Sequence, residues 1–171
     1  MAAAQVIVRT ANAGDAQGIA AIYAHHVLNG TASFDTVPPT QAETAERIAR
    51  ITERGWPFIV AEQDGLVIGY AYATQFRDRP AYAATCENSI YVDQSWIGRG
   101  IGRLLLSELI ARARDYGFLQ MIAVVGGGEP ASVGLHESLG FVQAGRMKSV
   151  GHKFGKWLDT VYLQLPLGAV G

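Results

Sequence analysis

The chain has 171 residues, 49% of them hydrophobic and 17% charged, with a formal net charge of −1 at pH 7. Such a chain can bury one sizeable core, so we expect a single domain over residues 1–171, and its balanced charge gives no reason to expect nucleic acid or an anionic membrane as a partner. The lone cysteine, Cys86, cannot form an internal disulfide. The opening residues 1–5 do not resemble a leader and no apolar stretch reaches membrane-helix length, so we expect a cytoplasmic protein.

The first third of the chain predicts one strand and two helices. A strand is expected near residues 6–9, followed by a helix over about 15–28 with Asp15 as its cap. Apolar residues recur at helical spacing on one face of this helix, at Ile19, Ile22, Tyr23 and Val27. A second helix is expected to begin near Thr40 and to end at Gly55-Trp56-Pro57.

A β-hairpin is expected next. Asp64-Gly65 separates the apolar runs 58–63 and 67–75, and this dipeptide between two such runs is typical of a tight hairpin turn. Residues 76–84 carry two arginines and Pro80 and are interpreted as a loop.

The most informative stretch is a glycine-rich turn in the middle of the chain. After the strand-like run 89–92, Gly98, Gly100 and Gly102 alternate with Arg99, Ile101 and Arg103 and lead into a predicted helix. Glycines let backbone N–H groups approach an anion, and a helix N-terminus adds about half a positive charge, so the turn suits a pyrophosphate. The spacing matches neither the nucleoside-triphosphate loop nor the dinucleotide pattern. The alternative is a tight strand-to-helix turn without a ligand.

The remaining pattern alternates helices and strands. Gly117 is expected to end the helix after the glycine turn, and a buried strand follows near 121–125. The last predicted elements are a short helix over about 131–139 and two strands near 141–147 and 159–165.

Several segments together resemble a known family. Residues 85–117 resemble the core motif of the GCN5-related N-acetyltransferases (GNAT), and the rest of the chain is most similar to the phosphinothricin and methionine sulfoximine acetyltransferase branch. The segments that carry this closer resemblance are Thr31-Ala32-Ser33-Phe34-Asp35, Gly69-Tyr70-Ala71, Glu87-Asn88-Ser89-Ile90-Tyr91-Val92, Leu135-His136-Glu137-Ser138-Leu139-Gly140-Phe141 and Gly151-His152-Lys153-Phe154-Gly155-Lys156-Trp157-Leu158-Asp159.

The resemblance implies an α/β fold with a mixed, largely antiparallel central sheet flanked by helices. It also implies acetyl-coenzyme A (acetyl-CoA) as co-substrate and no metal. The backbone amides of residues 98–103 would bind the pyrophosphate, and Ile90, Tyr91 and Val92 would pair with the pantetheine arm where the family separates two strands. Ser138 matches a further cofactor contact.

Two positions depart from the family pattern on the cofactor side. Ile97 stands where the superfamily commonly has glutamine or arginine, which removes one side-chain contact but leaves the backbone donors. Glu129 stands where the family has a cofactor-contacting asparagine, and an acid near the phosphates is unfavourable unless it faces solvent.

Glu87 is the candidate general base, and His136 is the candidate acid for the departing thiolate. An α-amino group has a pKa of about 8, so a base helps at neutral pH, and desolvation in the apolar run 86–92 raises the pKa of a carboxylate. The resemblance places the family's catalytic glutamate at Glu87, and imidazole can donate a proton near pH 7. The alternatives are a Glu87 that points outward or pairs with an arginine, and a structural His136.

Substrate selection is assigned to Arg77, Arg79 and Phe34, with Glu87 also facing the acceptor. A guanidinium offers a fork for a carboxylate or phosphinate, and Phe34 would wall the pocket. Some relatives have an arginine or aromatic residue after Tyr82, where this chain has Ala83-Ala84.

These observations predict an acetyl-CoA-dependent N-acetyltransferase that acts directly, in a ternary complex, on the α-amine of a small amino acid analogue such as phosphinothricin, methionine sulfoximine or methionine sulfone. One alternative acceptor is a polyamine, an aminoglycoside or a protein N-terminus, and another interpretation is a non-catalytic acyl-CoA-binding module.

By resemblance, residues 153–159 form a pocket rim and a homodimer interface, or else an ordinary hairpin loop. His25, His26 and His152 lack metal-like spacing and are expected in surface or packing roles.

Overall fold

The computed structural model describes residues 5–171 as an α/β fold with one seven-stranded sheet and four helices. The opening residues 1–4, part of the stretch considered for a leader, lie outside the described residues. The strands are β1 (Ile7–Thr10), β2 (Phe58–Gln63), β3 (Leu66–Gln75), β4 (Thr85–Val92), β5 (Gln120–Gly126), β6 (Val142–Lys153) and β7 (Lys156–Pro166). The helices are α1 (Ala16–Asn29), α2 (Gln41–Glu53), α3 (Ile101–Tyr116) and α4 (Pro130–Ser138).

The sheet is mixed and largely antiparallel, as the resemblance implied. The strand order is β1-β2-β3-β4-β5-β7-β6, and β4 with β5 is the parallel pair. The predicted hairpin between β2 and β3 is confirmed, with Asp64-Gly65 at its turn. The last two strands run further than predicted and turn at Phe154-Gly155, so residues 153–159 are mostly strand rather than loop.

Strands β4 and β5 separate halfway along their length. Their register pairs residues 85–88 with residues 120–123 and ends there. On the other side, β3 stays paired with β4 as far as Val92, and β7 stays paired with β5 as far as Gly126. Each strand is thus held by its outer neighbour, and a gap opens through the sheet after Asn88.

Helices cover both faces of the sheet. One core packs α3 against the sheet and includes Leu105, Leu106 and Leu109, which are fully buried. The other packs α1 and α2 against Phe58 and Tyr70. Because side chains alternate along a strand, β4 contributes to both layers.

Asp15 occupies the N-cap position of α1, as expected, but its side chain does not cap the helix. Asp15 ends a 3₁₀ turn with helical backbone angles, and its carboxylate makes no capping hydrogen bond to α1. It accepts instead from the backbone N–H of Asn12 and pairs with Arg9 at 2.8 Å, which ties the turn to β1. The start of α2 is as predicted, because Thr40 forms a capping box with Glu43.

We expect Leu105→Ala to lower the free energy of unfolding by about 2–5 kcal/mol, since it leaves a cavity in a close-packed core. The neighbouring Leu104→Ala is the matched control, because Leu104 is 42% exposed and surface truncations change stability by about 0.5 kcal/mol. Urea unfolding followed by circular dichroism measures both. Equal losses for the two variants would contradict the placement of the core.

Candidate active site

The glycine turn leaves the start of α3 open to an anion. Gly98 and Gly100 have φ of 79° and 82°, in the left-handed region that favours glycine. Gly100 precedes α3 directly and supplies no side-chain cap. The first N–H groups of a helix lack intrahelical partners and carry its positive partial charge, so those after Gly100 can bind phosphate oxygens.

An apolar groove of about 210 Å³ runs beside this turn. Its lining comes from the gap in the sheet, the glycine turn and α4: Ile90, Val92, Trp96, Ile97, Gly98, Gly100, Ile101, Gly102, Ala131, Ser132 and Leu135. Arg103 donates to the hydroxyl of Ser138 at 2.9 Å, so two residues predicted to contact the cofactor lie together on neighbouring helices. The guanidinium of Arg99 lies 4.9 Å from the centre of the Trp96 ring.

The structure explains one of the two departures in the cofactor segments. Glu129 is the cap of α4: its carboxylate accepts from the backbone N–H groups of Ala131 at 3.2 Å and Ser132 at 2.8 Å. Its charge therefore faces the positive end of α4, which offsets repulsion toward a nearby phosphate. Ile97 is 61% exposed and extends the apolar wall of the groove.

A cavity of about 230 Å³ fills the gap between β4 and β5. Residues 32–34, 87–91, 123–126, Ser132, His136 and Thr160 line it. Ile90 and Ser132 line both this cavity and the groove, so the two adjoin each other. Glu87 and Tyr91 point to the α1 and α2 side of the sheet, whereas Asn88 and Ile90 point to the side of α3 and α4. The cavity therefore joins the two faces of the molecule.

Backbone donors of β4 face this gap. Asp93 donates its N–H to Ile68 on the β3 side. N–H groups alternate along a strand and the register of β4 on β3 is continuous. The N–H groups of Ile90 and Val92 therefore point toward β5, where the ladder has ended.

Glu87 faces the cavity and is also paired with an arginine. Its side chain is 31% exposed and one carboxylate oxygen lies 3.5 Å from Nη1 of Arg77. Burial raises the pKa of the Glu87 carboxyl, and the positive charge of Arg77 opposes that shift. Glu87 therefore lines the cavity and also pairs with an arginine, so the arginine pair does not remove its carboxylate from the site.

His136 is 2% exposed and held at both ring nitrogens. Nδ1 lies 2.7 Å from the carbonyl oxygen of Ser132, and Nε2 lies 3.1 Å from the side chain of Asn88. Burial lowers the pKa of the imidazole, while the hydrogen bond to Ser132 raises it. The contact with Asn88 was missed in the sequence because the two residues lie 48 positions apart.

Two of the three residues predicted to select the substrate, Phe34 and Arg77, lie at the site. Phe34 lines the cavity, and its ring lies against Gly126 and Gly151. Arg77 stacks on Phe76 at 4.0 Å and pairs with Glu87 at the cavity. Neither arginine lines the cavity itself: Arg77 is connected to it through Glu87, whereas Arg79, on the same exposed loop, does not pair with Glu87.

The loop that carries Phe34, residues 31–37, is held by a polar cluster that the sequence did not reveal. Lys153, at the end of β6, is 5% exposed and donates to the carbonyl oxygen of Ser33 at 2.7 Å. Tyr23 on α1 hydrogen-bonds to the Ser33 hydroxyl at 2.8 Å and to the Asp35 carboxylate. Elements from both ends of the chain therefore fix the position of Phe34.

Within residues 5–171 there is no cluster of three or more histidine, cysteine or acidic side chains that could hold a metal ion. A helix long and apolar enough to cross a membrane is likewise absent from the described part of the chain. His26 has a packing role, because its Nε2 lies 2.8 Å from the carbonyl oxygen of Val92.

Comparison with known proteins agrees with this architecture. The family model for the acetyltransferase (GNAT) domain matches residues 8–162. The chain belongs to the GNAT acetyltransferases. A phosphinothricin N-acetyltransferase from Alcaligenes faecalis is 53% identical over 163 residues, which are 95% of this chain and 83% of that protein. An L-methionine sulfoximine/L-methionine sulfone acetyltransferase from Pseudomonas paraeruginosa is 40% identical over 94% of each chain.

This GNAT acetyltransferase uses acetyl-CoA as its co-substrate. A crystal structure of a GNAT phosphinothricin acetyltransferase from Sinorhizobium meliloti in complex with acetyl-CoA superposes with a TM-score of 0.93, at 49% identity over 95% of this chain and 89% of that one. The features described above fit such a ligand: uncapped N–H groups at α3 suit the pyrophosphate, and an apolar groove leads from there into the gap between β4 and β5.

We expect Gly151→Ala to displace Phe34, because a Cβ at this position would lie 2.3 Å from the ring. The KM for the acceptor amine should rise at least about fivefold, as for 1 kcal/mol of overpacking, with the KM for acetyl-CoA unchanged. Gly145→Ala, also on β6, is the matched control, since a Cβ there meets nothing within 4 Å. Steady-state kinetics with each substrate varied in turn measure the effect. A similar acceptor KM in both variants would contradict the placement of Phe34.

Proposed function

We propose that this enzyme transfers the acetyl group of acetyl-CoA to the α-amine of a small amino acid analogue of the phosphinothricin, methionine sulfoximine or methionine sulfone type. The observation that carries the proposal is the cavity in the split sheet, which meets the cofactor groove on one face and Glu87, Arg77 and Phe34 on the other. The names of the two relatives above support the same substrate class.

The adjoining positions of the groove and the cavity support direct transfer within a ternary complex, because both reactants can be present side by side. Acetyl-CoA supplies an acetyl thioester that a neutral amine can attack. Glu87 accepts the proton of the acceptor ammonium, directly or through water. The N–H groups of Ile90 and Val92 face the gap, where they can donate to the carbonyl oxygen as negative charge develops on it. His136, on the opposite face from Glu87, returns a proton to the departing thiolate.

Acceptor selectivity follows from charge at the mouth of the cavity. Arg77 places a guanidinium beside Glu87, where it can also pair with the carboxylate or phosphinate of an anionic amino acid. Arg79, on the same loop, would reinforce this attraction. The rival acceptors carry more positive charge, as in a polyamine or aminoglycoside, and Arg77 disfavours them. A non-catalytic acyl-CoA-binding module would not need a half-buried carboxylate in the cavity.

Three wider proposals accompany this function. Residues 1–171 form one N-acetyltransferase domain. Its location is the cytoplasm, since Cys86 is a buried thiol whose pKa burial raises to about 12 and the fold has no need of an oxidising compartment. The chain forms a homodimer through the β6–β7 hairpin, which exposes Val150, Phe154 and Trp157 by half or more.

Analytical ultracentrifugation of the wild type and of Trp157→Glu tests the homodimer, and a monomeric wild type would refute it.

We expect Glu87→Gln to lower kcat with phosphinothricin by about 100-fold or more, because the amide cannot take up a proton. Burial holds the pKa of Glu87 above its ordinary value, so replacing the carboxylate should leave the stability at pH 7 unchanged or higher. Release of the coenzyme A thiol measures activity with phosphinothricin, methionine sulfoximine, spermidine and an aminoglycoside. Glu108→Gln, a carboxylate on α3 paired with Arg112 away from the cavity, is the control.

The pH dependence provides a second test of the same residue. The base works only when deprotonated, so the wild-type rate should rise with pH through an acid limb displaced upward from an ordinary carboxyl pKa, and Glu87→Gln should lose this limb. Turnover with spermidine or the aminoglycoside alone would refute the proposed acceptor class but would still support N-acetyltransferase activity. An unchanged kcat in Glu87→Gln would refute the role of Glu87 as general base.

A further inference from the structure

The hydrogen bonds of His136 determine which of its nitrogens can exchange a proton. Nδ1 lies 2.7 Å from the carbonyl oxygen of Ser132, one turn earlier on α4. A carbonyl oxygen only accepts, so Nδ1 must carry hydrogen and donate. Protonation and deprotonation of the ring therefore occur at Nε2.

Nε2 faces Asn88 rather than open solvent. The Oδ1 atom of Asn88, itself 7% exposed, lies 3.1 Å away, so in this orientation the amide can only accept a hydrogen bond from Nε2–H. Unlike a carboxylate or a hydrocarbon, an amide has an acceptor oxygen and a donor nitrogen that exchange places when the group turns over. Its oxygen accepts from Nε2–H of an imidazolium, and its nitrogen donates to the lone pair of a neutral ring. The second hydrogen bond of the Asn88 amide runs from Nδ2 to the carbonyl oxygen of Ile122 and is long at 3.5 Å. Turning the amide over gives up this weak bond and directs Oδ1 toward that carbonyl, in exchange for a bond from Nδ2 to the neutral ring.

We propose that Asn88 is a positioning residue that holds the His136 ring at the gap between β4 and β5 in both protonation states, by turning its amide over as Nε2 gains or loses a proton. The tether to Ser132 stays in place throughout. The contribution of this arrangement to catalysis rests on the proposed function. In that function His136 gives up a proton and must be reprotonated without changing its orientation.

The surroundings of His136 leave Asn88 as the group that faces Nε2. On β4, the ionisable residues that line the cavity are Glu87 and Tyr91, which point to the other face of the sheet. On α4, the Glu129 carboxylate is held by the helix start, and Arg103 of α3 reaches Ser138. The stretch of β5 that lines the cavity is uncharged, β7 contributes Thr160 and the ring of Phe141 lies edge-on at 4.9 Å.

The direct test is nitrogen NMR of the His136 ring in the full-length protein, free of substrates, across a pH titration. In the wild type, the neutral ring should carry its hydrogen on Nδ1. Asn88→Asp substitutes a partner that only accepts, and it should raise the pKa of His136 by about 1–3 units, as a nearby opposite charge does. Asn29→Asp is the matched control: it adds the same charge beside His25 on α1 and should leave the His136 signals in place.

Kinetics provide the second readout. Asn88→Asp should move the limb of the pH–rate profile that belongs to His136 in step with its NMR pKa, whereas Asn88→Ala should lower kcat with little change in the KM for acetyl-CoA. A neutral ring protonated on Nε2, or a pKa of His136 that Asn88→Asp leaves unchanged, would overturn the proposal. If Asn88→Asp fails to fold, Asn88→Ala tests the same contact by NMR: loss of the amide should shift the Nε2 resonance while Nδ1 stays protonated, and an unshifted Nε2 resonance would overturn the proposal. Because the NMR arm needs no turnover, its result stands apart from any failure of the acetyl-transfer assay.

Discussion

The arrangement of the active site depends on the point where hydrogen bonding between β4 and β5 stops. Beyond Asn88, β4 remains paired with β3 and β5 remains paired with β7. The sheet therefore opens between β4 and β5 while both strands stay hydrogen-bonded on their outer sides. The opening gives one cavity access to both faces and leaves backbone N–H groups of β4 without a ladder partner. A fully paired sheet would have separated Glu87 from the cofactor groove.

Strand alternation then divides the chemistry between the two faces. Glu87 points toward α1 and α2, where Arg77 and Phe34 lie, whereas Asn88 points toward α4 and holds His136. Burial acts in opposite directions on the two groups: it raises the pKa of the Glu87 carboxyl and lowers that of the His136 imidazole. Both shifts favour the neutral form of the group over its charged form.

The loop that carries Phe34 is held by contacts that are distant in sequence. Lys153 reaches Ser33 across 120 positions, and Tyr23 joins the same loop to α1. Burying a lysine is costly unless it is hydrogen-bonded, so this contact ties the C-terminal hairpin to the position of Phe34. The shape of the cavity that Phe34 lines is therefore coupled to the C-terminal hairpin.

The sequence by itself determined the elements and most of the family-specific residues, because hydrophobic periodicity, turn dipeptides and the glycine turn are local signals. Residues 58–75 show this well, since Asp64-Gly65 and two apolar runs were sufficient to predict the hairpin. Only the tertiary structure decided that the Asp15 carboxylate pairs with Arg9 instead of capping α1, that Arg77 and not Arg79 pairs with Glu87, and that Asn88 faces His136. These outcomes depend on which side chains a three-dimensional packing brings within hydrogen-bond distance, and no local pattern of residues contains that information.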